Sequence, residues 1–209
     1  MKLKINIPEK LSEITLGQYQ DWLKVAEGKE MTPFIQQKMI EIFCGITLKE
    51  VLMIKATDID SITNEILKVF EQKPKFIKEF EIDKMQFGFI PKLDDMVFGE
   101  YIDLDTYLGD WSQMHKAMNV LFRPIIFKKN DQYLVSDYEG TGKYNLKTMP
   151  LSIVFGSLVF FWNLRNELQK HILSYLANQT EIPVSQELRD SLKNGVGINP
   201  FTDLAKVTL

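Results

Sequence analysis

Seven side chains between positions 94 and 115 form the one group in this chain whose types and spacing could hold a divalent cation. They are Asp94, Asp95, Glu100, Asp103, Asp105 and Asp110, with His115 beyond them. Hard cations need several oxygens at close range. Glu100 and Asp103 lie one helical turn apart, as do Trp111 and His115, so each pair could share a face. The spacing matches no defined coordination motif. Acids also belong in the first turn of helices, where the dipole favours them, and two helix starts are expected in this stretch. Helix ends and solvated faces therefore account for the acids, and no bound metal is expected.

Other candidates for chemistry weaken on inspection. Gly140-Thr-Gly142-Lys143 has the glycine and lysine of a phosphate-cradling loop, but Tyr144 stands where Ser or Thr would hold magnesium and Asp137 where the first glycine belongs. A hairpin loop explains the run better. His171 has no acid or nucleophile that the sequence can place beside it, and reads as a polar-face or packing histidine. Lys73, Lys75, Lys78, Lys128 and Lys129 are interleaved with Glu79, Glu81 and Asp131, the pattern of solvated faces and not of a nucleic-acid groove. No catalytic, cofactor-binding or metal-ligating residue is assigned, and the chain is expected not to be an enzyme.

The elements that position these residues are signalled locally. Leu3, Ile5 and Ile7 alternate with Lys2, Lys4 and Asn6 before Pro8, which predicts a short edge strand. Thr15 and Gln18 have capping-box spacing and open a helix through about Glu27, with Gly28 as its stop. Thr32-Pro33 predicts a second helix running to Gly45. Thr47 and Glu50 form another capping box, and a further helix follows Asp58. After Pro74 the period becomes two: Phe76 to Ile82 and Met85 to Phe89 predict a hairpin turning at Asp83-Lys84, which lacks the favoured Asn-Gly pair.

Helical patterning returns from Asp94 to Leu121 in two pieces meeting near Gly109-Asp110, and Pro124 ends it. Ile125 to Lys128 and Tyr133 to Tyr138 predict a second hairpin across Asn130-Asp131. The longest helix is expected over about 152–177. Its aromatic run, Phe155, Phe160, Phe161 and Trp162, reads as core packing in preference to a partner-binding groove, with Phe155, Phe160, Phe161, Leu164 and Leu168 largely buried. The remainder holds one short helical candidate, 185–193. It ends in an apolar series (Val196, Ile198, Phe201, Leu204, Val207 and Leu209) interrupted by two glycines and Pro200.

Totals set the class. With 209 residues, 45% apolar and 25% charged, and with 14 Phe, 7 Tyr and 3 Trp, the chain is far from a disordered composition. The expected architecture is one main α+β domain over 1–177, helix-dominated, with an N-terminal helical region, two central hairpins and a long core helix. A C-terminal extension or docking arm over 178–209 completes it. Lys plus Arg number 25 against 28 Asp plus Glu, a net charge of -3 that provides no field to hold a polyanion. Cys44 is the one cysteine, which excludes disulfides within the chain and fits a reducing compartment. The first residues lack the apolar segment of a secretion signal. The apolar run from Leu151 to Trp162 is shorter than the roughly 20 residues a bilayer requires.

Three stretches together resemble a family of small virion and tail-assembly proteins of tailed bacteriophages, especially the gut podoviruses called crAss-like phages. The first is Ile7-Pro-Glu-Lys-Leu-Ser-Glu-Ile-Thr-Leu-Gly-Gln-Tyr19. The second is Phe87-Gly-Phe-Ile-Pro-Lys-Leu-Asp-Asp-Met-Val-Phe-Gly-Glu-Tyr-Ile-Asp-Leu-Asp105, continuing through Trp111-Ser-Gln-Met-His-Lys-Ala-Met118 to Leu121-Phe-Arg-Pro124. The third is Phe155-Gly-Ser-Leu-Val-Phe-Phe-Trp-Asn-Leu-Arg-Asn-Glu-Leu168. The resemblance implies a non-enzymatic part of a phage tail or neck, such as a ring subunit or adaptor near the portal, or else a tail-assembly chaperone. It carries no catalytic residue across. A metal-dependent hydrolase using Glu100, Asp103 and His115 is the alternative from another class. Identical subunits in a ring and other tail or neck proteins are the expected partners, with no membrane and no sequence-specific nucleic acid. The expected interface residues are Val196, Ile198, Phe201, Leu204, Val207 and Leu209 at one end, and Leu3, Ile5 and Ile7 at the other.

Overall fold

The computed structural model describes residues 5–178, excepting the side chains of Asp94, Arg165 and residues 168–178. The fold is a helix-dominated α+β arrangement. In chain order it comprises α1 (Leu16–Ala26), α2 (Pro33–Cys44), α3 (Leu48–Val51), α4 (Ala56–Phe70), β1 (Glu79–Ile82) and β2 (Met85–Phe89). There follow α5 (Phe98–Tyr107), α6 (Met114–Leu121), β3 (Phe122–Lys129), β4 (Gln132–Val135) and α7 (Leu151–Asn178). Among the described residues no helix is long and apolar enough to cross a membrane. The chain divides into two compact units, one of residues up to 75 with 145–155, the other of 76–144 with the chain from 156.

In the first unit, local capping decides where helices start. Thr15 and Gln18 cap each other reciprocally ahead of α1, and Thr47 and Glu50 do so ahead of α3. Thr32 caps α2 with Pro33 at its first position, and Gly45 ends that helix in the left-handed region at φ 64°. Gln18 also donates through Nε2 to the Ile42 carbonyl at 2.8 Å, tying α1 to the end of α2. Around these helices Ile14, Leu16, Met39, Ile40 and Ile66 are fully buried. Tyr19 sets its ring edge-on to Phe155 at 5.4 Å. Backbone bonds from Leu16 to Met149 and from Leu151 to Ile14 fasten the start of α1 to the segment leading into α7.

The expected strand at the N-terminus is not formed by its described part. Ile5 to Glu9 carry no strand assignment, and Leu3 lies outside the described residues. The segment is held instead by Gln72, whose Nε2 donates to the Glu9 carbonyl at 2.7 Å and whose Oε1 accepts from the Leu11 amide at 3.3 Å. A side-chain amide that satisfies both backbone groups removes the need for a strand partner.

The second unit is built on one antiparallel sheet, ordered β1-β2-β3-β4. Both expected hairpins are present, and they join into one sheet through Phe89 opposite Phe122 and Phe87 opposite Pro124. Strand β3 starts at Phe122, directly after α6, three residues earlier than the sequence pattern predicts. Phe76, Phe80, Phe87, Phe89, Phe122, Phe160 and Phe161 form a connected set of ring contacts on this sheet, with centroids 4.4–6.1 Å apart. Asn119, buried in α6, donates to the His115 and Tyr144 carbonyls and accepts from the Tyr144 amide. Those three bonds anchor the end of the loop that leaves β4.

The long helix departs from expectation along its length. Leu151 and residues 153–157 are buried and Phe155 is 4% exposed, but Phe160 and Phe161 are half-buried and Leu164 is 42% exposed. The aromatic set on which α7 packs ends at Phe160 and Phe161, so the following turn has no apolar surface left to cover it. Leu168 lies outside the described side chains.

The first hairpin turns through Asp83 and Lys84 at φ 50° and 65°, both left-handed, as the two-residue turn that matches strand twist requires. Side chains with a Cβ pay roughly 1 kcal/mol or more there, and glycine does not. Lys84→Gly, which creates the favoured Asp-Gly pair, is expected to raise stability by about 1 kcal/mol and the melting temperature by about 2–4 °C. An unchanged or lowered melting temperature would contradict this account of the turn.

Candidate functional site

Helix α5 carries Glu100, Asp103 and Asp105 of the acids singled out in the sequence, and the structure gives Glu100 and Asp103 separate partners. Glu100, 4% exposed, accepts from the Val97 amide through Oε2 at 2.8 Å, which caps α5. Its Oε1 meets Arg123 Nη1 of β3 at 2.8 Å. Asp103, one turn further on, accepts from the Tyr138 hydroxyl. Burial, and then the charge of Asp103, push the Tyr138 hydroxyl far above its ordinary range, so it stays a donor at any physiological pH. The two acids share a face, as their spacing predicts, but that face is turned toward β3 and the loop beyond β4.

The remaining acids are dispersed. Asp95 pairs with Lys92 at the surface at 3.3 Å, Asp105 is exposed, and Asp110 caps the short 3-10 turn at Trp111–Gln113 through the Ser112 amide. Among the described residues no three His, Cys, Asp or Glu side chains are grouped so as to hold a metal ion. The Asp94 side chain lies outside the described set, as does that of His171.

The glycine run at 140–142 is a loop, with Gly140 at φ 99° and Lys143 paired to Glu139. The next element after it is a 3-10 turn at Leu146–Thr148, so the loop does not lead directly into a helix N-terminus as a phosphate cradle does. Cys44 is half-buried, and desolvation pushes its thiol up to about 11, which keeps it protonated and unreactive at neutral pH.

Two apolar features of the second unit are not announced by the sequence pattern. One is a groove of about 1240 Å³ walled by Phe127 and Leu134 of the β3–β4 hairpin, by Phe89, and by Phe160 and Leu164 of α7, with Lys78 and Lys129 at its rim. Phe127 and Leu134 face each other in register and are 57% and 58% exposed. The other is a ridge on α5 formed by Val97, Phe98, Tyr101 and Ile102, all exposed, Phe98 to 78%. A smaller cavity of about 280 Å³ includes Glu100 and Arg123 in its lining and shares Ile90, Pro91, Lys92, Asp95 and Leu134 with the groove. The spacing of 97, 98, 101 and 102 is visible as a helical face; which way that face points depends on the distant Arg123 and Tyr138.

Of the expected interface residues, Ile5 and Ile7 are partly buried in the first unit. Val196, Ile198, Phe201, Leu204, Val207 and Leu209, with Leu3, lie outside the described residues. No protein-family model, curated protein or solved structure matches the chain.

Proposed function

We propose that this chain is a non-enzymatic structural subunit of a bacteriophage tail or neck, an adaptor near the portal built as a ring of identical copies. It works in the virion after assembly in the host cytoplasm, in contact with other tail or neck proteins. The observation that carries this reading is the α5 ridge. Single exposed apolar side chains are ordinary, whereas four on one helical face mark a surface that another chain covers. The groove beside the β3–β4 hairpin is a second such surface with a different shape. Copies that meet through two unlike patches form a closed ring when the rotation between neighbours allows it. The sequence resemblance supplies the phage setting, and two of its three stretches, 87–105 and 155–168, hold the ridge and one wall of the groove.

Mass spectrometry of purified particles tests the assignment, since a tail-assembly chaperone would be missing from them. In solution, replacing Phe98 and Tyr101 together by Glu is expected to bring the mass measured by light scattering down to that of one chain. The melting temperature should stay within about 2 °C, because exposed sites away from packing contribute little to stability. A native protein that is a single chain at every concentration and absent from particles would remove the proposal.

A further inference from the structure

We infer that the groove beside the β3–β4 hairpin receives the apolar C-terminal segment, residues 195–209, of a neighbouring copy. The inference rests on the ring proposed above and names one of its contacts. Strand β4 is last in the sheet order, so its outer edge has no strand neighbour among the described residues. Beside that edge Leu134 and Phe127 hold an apolar pair open to solvent. An edge of this kind accepts an added strand, with main-chain bonds supplying affinity and alternate side chains filling the groove.

The segment's sequence fits that role. In Gly195-Val-Gly-Ile-Asn199 the two β-branched residues alternate with glycine, so an extended chain places both on one face with Gly195, Gly197 and Asn199 on the other. Pro200 then ends the pairing. Phe201 and Leu204 follow as bulk for the wall made by Phe160 and Leu164. Asp203 and Lys206 are the charged side chains of the segment, and the groove lining offers counter-charges to both, Lys78 and Lys129 to the first and Asp95 and Asp131 to the second.

Chain length lets the segment reach a neighbouring copy. Helix α7 lines the groove at Leu164 and then runs to Asn178, which takes the chain about 20 Å further along the helix axis. Residues 179–194 can span up to about 55 Å when extended, enough to cross to the next subunit. The tether also raises the effective concentration of the segment once a first contact between copies has formed.

The test is photo-crosslinking of full-length chains with a benzophenone amino acid in place of Leu134, in a mixture of isotopically light and heavy protein, read beside light scattering. Adducts joining position 134 to a peptide from 195–209 of the opposite isotope are expected, and Leu134→Asp is expected to lower the oligomer mass. Adducts confined to one isotope would place the segment in its own groove and overturn the inference. Adducts to another segment, or none, in a protein that still oligomerises would also overturn it and leave the ring standing. A protein that forms no adduct and remains a single chain would remove both.

Discussion

Glu100→Ala is expected to cost about 3–5 kcal/mol of stability, because it leaves the Arg123 guanidinium buried without its counter-charge. The Arg123 side chain is 13% exposed and that of Glu100 5%, so water replaces little of what is lost. Arg123 Nε already has no hydrogen-bond partner among the described residues, which leaves the ion pair to Glu100 to compensate the burial of the guanidinium. The same substitution removes the cap on the Val97 amide, worth about 1 kcal/mol by itself.

A second variant separates the electrostatic cause from simple truncation. Replacing both partners by apolar residues, Glu100→Leu with Arg123→Met, should recover much of the loss, since a buried pair exchanged for packed hydrophobes is often neutral. Urea unfolding of the two variants measures both values. A double variant no better than Glu100→Ala would show that the stranded Arg123 charge is not the main cause of the loss. The measurement also bears on the hydrolase alternative: an acid held for catalysis would give up turnover on substitution while leaving stability nearly unchanged.

How far the sequence can be read follows from the range of each interaction. Thr15 with Gln18, Thr47 with Glu50 and Thr32 with Pro33 act within one turn, and the helices begin where they predict. The turns at Asp83-Lys84 and Asn130-Asp131 follow from alternation and composition alone, and both hairpins form there. The joining of the hairpins is not legible, because Phe89 opposite Phe122 pairs residues separated by two intervening helices. Gln72 reaching back to Glu9 and Leu11, about sixty residues away in the chain, displaces an expected strand for the same reason.

At the candidate site, the shared face of Glu100 and Asp103 is readable from spacing, but their partners Arg123 and Tyr138 are not. The groove is hidden by a different cause. Phe127 and Leu134 look like ordinary strand residues, and their exposure depends on which distant elements pack against the hairpin, which no local pattern announces.

Phe122→Ala is expected to lower stability by about 3–5 kcal/mol, the usual loss for a fully buried core aromatic. Phe122 is 0% exposed, and its ring lies 5.2 Å from both Phe80 and Phe89. It occupies the residue at which α6 passes into β3, its amide still donating to the Met118 carbonyl while its strand pairing with Phe89 begins. Truncation there opens a cavity between three strands and weakens the register that joins the two hairpins. The cavity cannot close cheaply, because neighbours on both sides are held by ladder bonds.

Leu164→Ala provides the contrast. At 42% exposure on the emergent part of α7 it has little transfer energy to lose, and its cost should stay near 0.5 kcal/mol, roughly the range of surface changes. Phe160→Ala should fall between the two, since its ring stacks on Phe76 at 4.4 Å while its outer side faces the groove. Chemical denaturation of the three variants gives the ordering directly. A Leu164→Ala cost equal to that of Phe122→Ala would mean that α7 is covered along its whole described length, and the groove would lose the wall on which the docking of a neighbouring chain depends.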